Sequence, residues 1–300
     1  MALNRMHIDG STPLWIAART LLAQRVEDFF RHRDRALKTS DPEEIHDLRV
    51  ASRRLREGLA LFASCYPGVR VAPLGRRLKR VTRLLGEIRN TDEAIIFFTA
   101  LAEEIDAEHG KEMERILASF REKRGKELKM LESGLHDLAP DSLRRLFRQV
   151  TSAPSLFSPE EGGDLFVPLA QFAGEALKAR LAAVLKLLYE ATHPDASEAQ
   201  HLLRIAVKHF RYRLEILSFL IGPRYDDIHE TLKAYQDVLG TVHDLDVFAG
   251  TVREANLSPR TEPVILGAIA AKRRRFFADF SAMLETRPFA EIGEYLGSIL

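Results

Sequence analysis

Two separate strings of this chain occur twice, in the same order and at nearly one spacing, and that repetition limits the fold more than any other feature. HDLRVASRRLR, from His46 to Arg56, returns as HLLRIAVKHFR, from His201 to Arg211, an offset of 155 residues (201 − 46). At that offset Arg25 meets Arg180 and Leu22 meets Leu177. LKRVTRLLGEIRNTDEA, from Leu78, meets LKAYQDVLGTVHDLDVF, from Leu232, an offset of 154 (232 − 78). Two ordered matches imply an internal duplication, and two copies are too few for a solenoid. A pseudo-two-fold pair of helical bundles is the natural consequence.

Apolar residues recur at helical spacing almost throughout, with no run of alternating β-branched residues that reads as a strand, so the fold class is all-α. The periodicity predicts helices over 12–37, 42–65, 73–86, 91–108, 111–137 and 141–149 in the first half. The second half carries 165–191, 196–220, 225–239, 244–255, 262–285 and a short tail helix. Residues 151–168 are rich in Ser, Pro and Gly and read as a linker, leaving 12–150 as the first helical half and 169–300 as the second within one domain over 1–300. With 46% apolar residues the chain can bury a sizeable core without metal or disulfide staples. The single cysteine, Cys65, and an opening without an apolar stretch point to the reducing cytoplasm. Charges interrupt every apolar run, so no membrane span is expected.

Lys+Arg number 44 against 43 Asp+Glu, so attraction for a polyanion has to come from local segregation of charge. The first repeat supplies it. With His46 at zero on a helical wheel, Arg53, Arg49 and Arg56 fall at about −20°, −60° and −80°. Ala51, Leu55, Phe62, Leu48 and Leu59 lie opposite and face a core. His201, Lys208, Arg204 and Arg211 repeat the basic stripe, and Leu217, Phe210, Leu203 and Leu214 repeat the apolar one. Arg76, Lys79, Arg80 and Arg83 form a second basic face in the first half, which Lys233 alone repeats, so the site is expected to be lopsided. Arg54 sits beside the first stripe, in the same repeated string.

Like charges at such spacing repel. Asp47 and Glu57 fall off the stripe, and the second copy has no acid between His201 and Arg213, so an external polyanion is the expected compensation. Positions i to i+10 span roughly 15 Å, which suits successive phosphates. Arginine grips phosphate oxygens bidentately and lysine adds a compact charge. The bland alternative is a solvated helix face, which repetition in both halves disfavours. Neither His46 nor His201 has a ligand partner at i+3 or i+4, so no metal and no cofactor is expected. His243, Asp244 and Asp246 follow Gly240, where capping is expected, as around Asn90 and Asp92.

At these strings the chain resembles the CHAD family, the conserved histidine α-helical domains. HDLRVASRRLR, LLGEIRNTDEA, HLLRIAVKHFRYRLE and YQDVLGTVHDLDV carry the resemblance, which covers residues 12–300. It implies two pseudo-symmetric four-helix bundles around a basic central pore, and binding of inorganic polyphosphate there. By that match His46, Arg49, Arg53, Arg56, Lys79 and Arg83 line one side, and His201, Arg204, Lys208, Arg211 and Lys233 the other. Arg25, Arg54, Arg76, Arg180, Tyr212 and Arg213 complete the candidate set, while His209 stands where the family usually has a basic residue. The resemblance also implies association with polyphosphate granules. Some relatives carry a triphosphatase tunnel domain marked by Glu-x-Glu-x-Lys; that motif is absent, EMERI at Glu112 being the nearest string, and the chain reads as a stand-alone, non-catalytic module. A phosphohydrolase would need a nucleophile or carboxylates facing the basic stripe, and none is evident. Nucleic acid is the alternative ligand, against which stand the near-neutral total charge and the lack of a basic tail.

Overall fold

The structure, a computed structural model, describes residues 7–39, 42–137, 140–152 and 164–300. Ten α-helices account for most of them, and among the described residues there is no strand, only an isolated bridge between Pro13 and Pro168. In the first half these are α1 (Leu14–Thr39), α2 (Pro42–Leu61), α3 (Gly68–Glu104), α4 (Gly110–Asp137) and the short α5 (Pro140–Thr151). The second half repeats the pattern with α6 (Leu169–Ala191), α7 (Ser197–Ile216), α8 (Tyr225–Glu254), α9 (Thr261–Thr286) and the short α10 (Phe289–Ile299). None is long and apolar enough to cross a membrane.

Most of the expected linker, residues 153–163, lies outside the described residues. Its end is tied to the start of the chain: Leu14 N donates to Val167 O at 3.0 Å, and Leu169 N donates to Thr12 O at 2.9 Å. The pair is reciprocal, since 14 and 12 stand 155 residues before 169 and 167. Four long helices and one short one thus start from adjacent points in each half.

Two expected breaks are corrected. The helices predicted over 73–86 and 91–108 form the single α3, and those over 225–239 and 244–255 form the single α8. The apolar stripe explains the continuity, because Leu85, Ile88, Ala94, Phe98 and Leu101 stay buried along one face of α3. The acids expected to cap helices instead brace hairpins. Arg124 of α4 donates to Asp92 at 2.5 Å, and Arg273 of α9 donates to Asp246 at 2.5 Å. Gly240 keeps helical geometry in mid-α8 beside α7: a Cβ there would lie at an ordinary contact distance of 3.6 Å from Arg204 Nε.

The apolar residues do not close into one core per half. A large core draws Leu22, Phe29, Leu48, Leu55 and Leu85 from the first half and Leu177, Leu203, Phe210, Leu232 and Phe280 from the second. A smaller one joins Phe98, Leu117 and Phe120 of α3 and α4 to Phe248, Val252 and Ile265 of α8 and α9. Phe97 stacks on Phe248 with ring centroids 4.7 Å apart, linking α3 to α8. Each fully buried side chain of this size contributes about 1.5–3 kcal/mol, so both cores hold the halves together. Between the cores, the helices that flank them present polar side chains.

Candidate anion-binding site

α2 and α7 pack against each other through their charged faces, and that contact is built on two buried carboxylates. Glu57 of α2 accepts hydrogen bonds from Arg213 Nε at 2.8 Å and from His209 Nδ1 at 2.6 Å, with Arg180 of α6 at 3.9 Å. Glu215 of α7 accepts from Arg54 Nε and Arg211 Nη1, each at 2.6 Å, and lies 3.0 Å from His229 Nε2. Burial alone would raise both carboxyl pKa values; the surrounding cations outweigh it and hold them below the ordinary carboxylate value. This corrects the expectation that no carboxylate meets the repeated basic strings. Arg54, His209, Arg213 and Arg180 reach a carboxylate of the opposite half, which a wheel drawn on one helix could not show, whereas Arg211 meets Glu215 at i+4 on α7, just past the repeated string.

The clamp sets the two basic stripes side by side along a cavity of about 900 Å³. His46, Arg49, Arg53 and Arg54 reach it from α2, and Arg204, Lys208, Arg211 and Tyr212 from α7. Arg49, Arg53, Arg204 and Lys208 have no carboxylate within 4.0 Å among the described residues, and neither does Arg56, which stands next to Lys208 outside the lining. Arg49 Nε is buried and lacks a hydrogen-bond partner.

The crowding is visible in the acid–base behaviour. Burial, then Arg53, Arg204, Arg56 and Arg49, push the Lys208 ammonium down to about 8. Burial and Arg53 push Arg49 down to about 10. Arg204 is lowered by burial although Asp244 opposes the shift, and Arg56 is lowered by burial and Arg53. His46 and His201 are both lowered, by burial first and then by Arg49 and Arg204 respectively. Packed cations that lower one another's pKa are poised to take up a multivalent anion.

Other predicted residues lie elsewhere. His201 turns to His243, with ring centroids 4.1 Å apart, and its Nδ1 is buried without a partner. Arg76, Lys79 and Arg83 are exposed on α3 outside the cavity, and Arg83 sits 3.6 Å from Glu87. Lys233 reaches the cavity rim. Arg180 and Arg213 serve Glu57. Arg25 lines a smaller cavity of about 340 Å³, which Arg54 also borders. Beside it His32, Glu44 and Asp47 place one ligand atom each within 4.8 Å of one another, a spacing that could hold a divalent cation.

Sequence reasoning missed the second wall of the main cavity. α3 contributes Arg89, Asn90 and Glu93, α8 contributes Gln236, Asp237 and Asp244, and α9 contributes Lys272. The missed signal was the helical spacing of Arg89, Glu93, Ile96 and Ala100 on α3, matched by Lys233, Asp237, Gly240 and Asp244 on α8. Reading each helix as two had hidden it.

Two solved structures share this fold. One, described as the crystal structure of the CHAD domain from the plant Ricinus communis, is 23% identical with a TM-score of 0.63, covering 98% of this chain and 95% of that one. The other, PptA from Streptomyces chartreusis, is 18% identical with a TM-score of 0.65, covering 92% and 99%. No curated protein matches the chain. The sequence profile of the CHAD domain matches residues 20–253, from α1 to α8 and through both basic strings, and the chain belongs to the CHAD domain family.

Proposed function

We propose that this protein is a non-catalytic binder of inorganic polyphosphate, held as one chain along the cavity wall that α2 and α7 form together. The observation that carries the reading is the set of clustered cations, Arg49, Arg53, Arg56, Arg204 and Lys208, with no carboxylate within 4.0 Å among the described residues. Arg49, Arg53 and Arg56 stand at i, i+4 and i+7 on α2, and Arg204, Lys208 and Arg211 repeat that spacing on α7. Each stripe runs roughly 10 Å, the scale of a few linked phosphates. Membership of the CHAD family, some members of which bind polyphosphate, supports the same ligand. Association with polyphosphate granules would follow from such binding and belongs to the proposal.

The test compares Arg49→Ala/Arg53→Ala with Arg204→Ala/Lys208→Ala by calorimetry, using polyphosphate just long enough to span both stripes. One shared ligand requires that both double variants bind more weakly while wild-type stoichiometry stays at one chain per protein. Each lost phosphate contact flattens the logarithmic salt dependence by about one unit. All four side chains lie off the apolar faces, so the helical circular-dichroism signal is unchanged. Two sites in the wild type, with one unweakened site left in each variant, would refute the shared ligand. Equal affinity for orthophosphate and a long chain would refute polyphosphate itself.

A further inference from the structure

The main cavity has two chemically different ends. Along α2 and α7 it is cationic, while toward the smaller core it is apolar, lined by Ile96, Phe97, Ala100, Phe248 and Phe276. Ile96 is 61% exposed and Ala100 is exposed as well, whereas Phe97 and Phe276 are partly buried, with Phe97 held against Phe248. The polar groups on this side disfavour a continuing polyanion. Glu93 is paired with Arg89, and Lys272 with Glu104 at 2.8 Å, while Asp244 and Asp237 stand by Arg204 and Lys233 of the cationic side. Phosphates extended along the whole cavity would meet the carboxylates of Glu93 and Glu104 and bare hydrocarbon at the far end. Asn90 of α3 and Thr241 of α8, which lie on those helices between the cationic wall and the apolar end, offer polar atoms to an uncharged polar group.

We propose that this cavity accepts a nucleoside polyphosphate, with the phosphate tail among Arg49, Arg53, Arg204 and Lys208 and the base against Ile96 and the Phe276 ring. The assignment rests on the anion-binding reading of the α2 and α7 wall and adds a subsite to it. A base has a flat apolar face for the hydrocarbon wall and a polar edge for Asn90 and Thr241. A prenyl or acyl chain has no polar edge to meet Asn90 or Thr241. On α3, Arg89 and Glu104 lie 15 residues apart, or roughly 22 Å along the axis, so both ends of such a ligand fit in one cavity.

The experiment measures affinities of the full chain for ATP, tripolyphosphate, adenosine, farnesyl diphosphate and an oligoadenylate, together with long-chain polyphosphate. ATP is expected to bind about tenfold more tightly than tripolyphosphate, the scale of one base stacked on an apolar wall. Ala100→Trp, at an exposed helix position, fills the apolar end and is expected to abolish that preference while leaving tripolyphosphate affinity unchanged. Ile96→Ala/Phe276→Ala is expected to do the same by removing the wall. ATP binding no tighter than tripolyphosphate, with long polyphosphate still bound, would overturn the base subsite and leave the polyphosphate reading standing. Failure of every phosphorylated probe would overturn both. Farnesyl diphosphate gaining as much as ATP would overturn the aromatic assignment, and an oligoadenylate binding more tightly per phosphate than ATP would replace the single nucleotide with a nucleic-acid strand.

Discussion

On the proposed function, Lys208 makes polyphosphate binding a proton-uptake reaction in mildly alkaline solution. In the free protein its ammonium is pushed from the ordinary 10.5 to about 8 by burial and by Arg53, Arg204, Arg56 and Arg49. A phosphate chain among these cations cancels their repulsion and supplies a counter-charge, and a return to the ordinary value sets the size of the effect. At pH 8 the free lysine is half deprotonated, so binding takes up ~0.5 proton, rising to ~0.9 at pH 9 and falling to ~0.1 at pH 7. The sign follows: affinity is full below pH 8 and declines as pH rises from 8 toward 10.5. Between pH 7 and 9 the loss is about tenfold, or about 1.4 kcal/mol. Internal phosphates of a long chain keep their charge over this range, and Arg49, at about 10, joins only above it. Calorimetry at pH 8 in buffers of different ionisation enthalpy reads the uptake directly. Lys208→Arg keeps the charge and is expected to flatten the dependence between pH 7 and 9. A wild type without uptake at pH 8 to 9, or a Lys208→Arg variant that retains it, would refute the reasoning.

Two further outcomes follow from the helix contacts. Glu57→Gln removes a buried carboxylate from Arg213 and His209 and is expected to cost about 3–5 kcal/mol in urea unfolding at pH 7. Because the folded Glu57 pKa is depressed, its contribution is present above the unfolded value of 4.5 and is lost as pH falls through the folded value, so the variant's acid-side loss of stability should be shallower. Gly240→Ala meets Arg204 Nε at an ordinary 3.6 Å and should stabilise α8 by roughly 0.5–1 kcal/mol in thermal unfolding, whereas Gly240→Leu should displace Arg204 and weaken polyphosphate binding in the same calorimetric assay.

The helices were legible in the sequence because their signals are local. Apolar residues at i, i+3 and i+4 mark the buried faces of α2 and α7, and Leu48, Leu55, Phe62, Leu203, Phe210 and Leu217 are buried as that pattern requires. Helix ends at Gly86 and Gly240 were misread for an equally local reason. Glycine followed by Asn, Asp or His reads as a cap when nothing else is known, yet Asp92 and Asp246 are claimed by arginines 32 and 27 residues away. An interhelical ion pair in a partly buried position outweighs the weak intrinsic preference for a break. The smaller core was illegible as well, since it joins the far ends of two hairpins from different halves.

Repetition alone could not sort ligand-facing cations from structural ones. Arg54 and His209 occupy equivalent positions 155 residues apart, and each reaches across to a carboxylate on the other helix, Arg54 to Glu215 and His209 to Glu57. The carboxylates are not equivalent, for Tyr212 stands at the counterpart of Glu57 and Ala60 at that of Glu215. A repeated basic position can therefore be held by the α2–α7 contact rather than by any ligand. Arg49 with Arg204, and Arg53 with Lys208, are repeated in the same strings but have no carboxylate within 4.0 Å among the described residues. What separates the two classes is the partner, and the partner is set by how α2 crosses α7. Glu57 and Glu215 neutralise Arg54, His209, Arg211 and Arg213 and leave Arg49, Arg53, Arg204 and Lys208 unpaired along the cavity. The same crossing thus stabilises the fold and concentrates uncompensated charge where a polyanion can reach it.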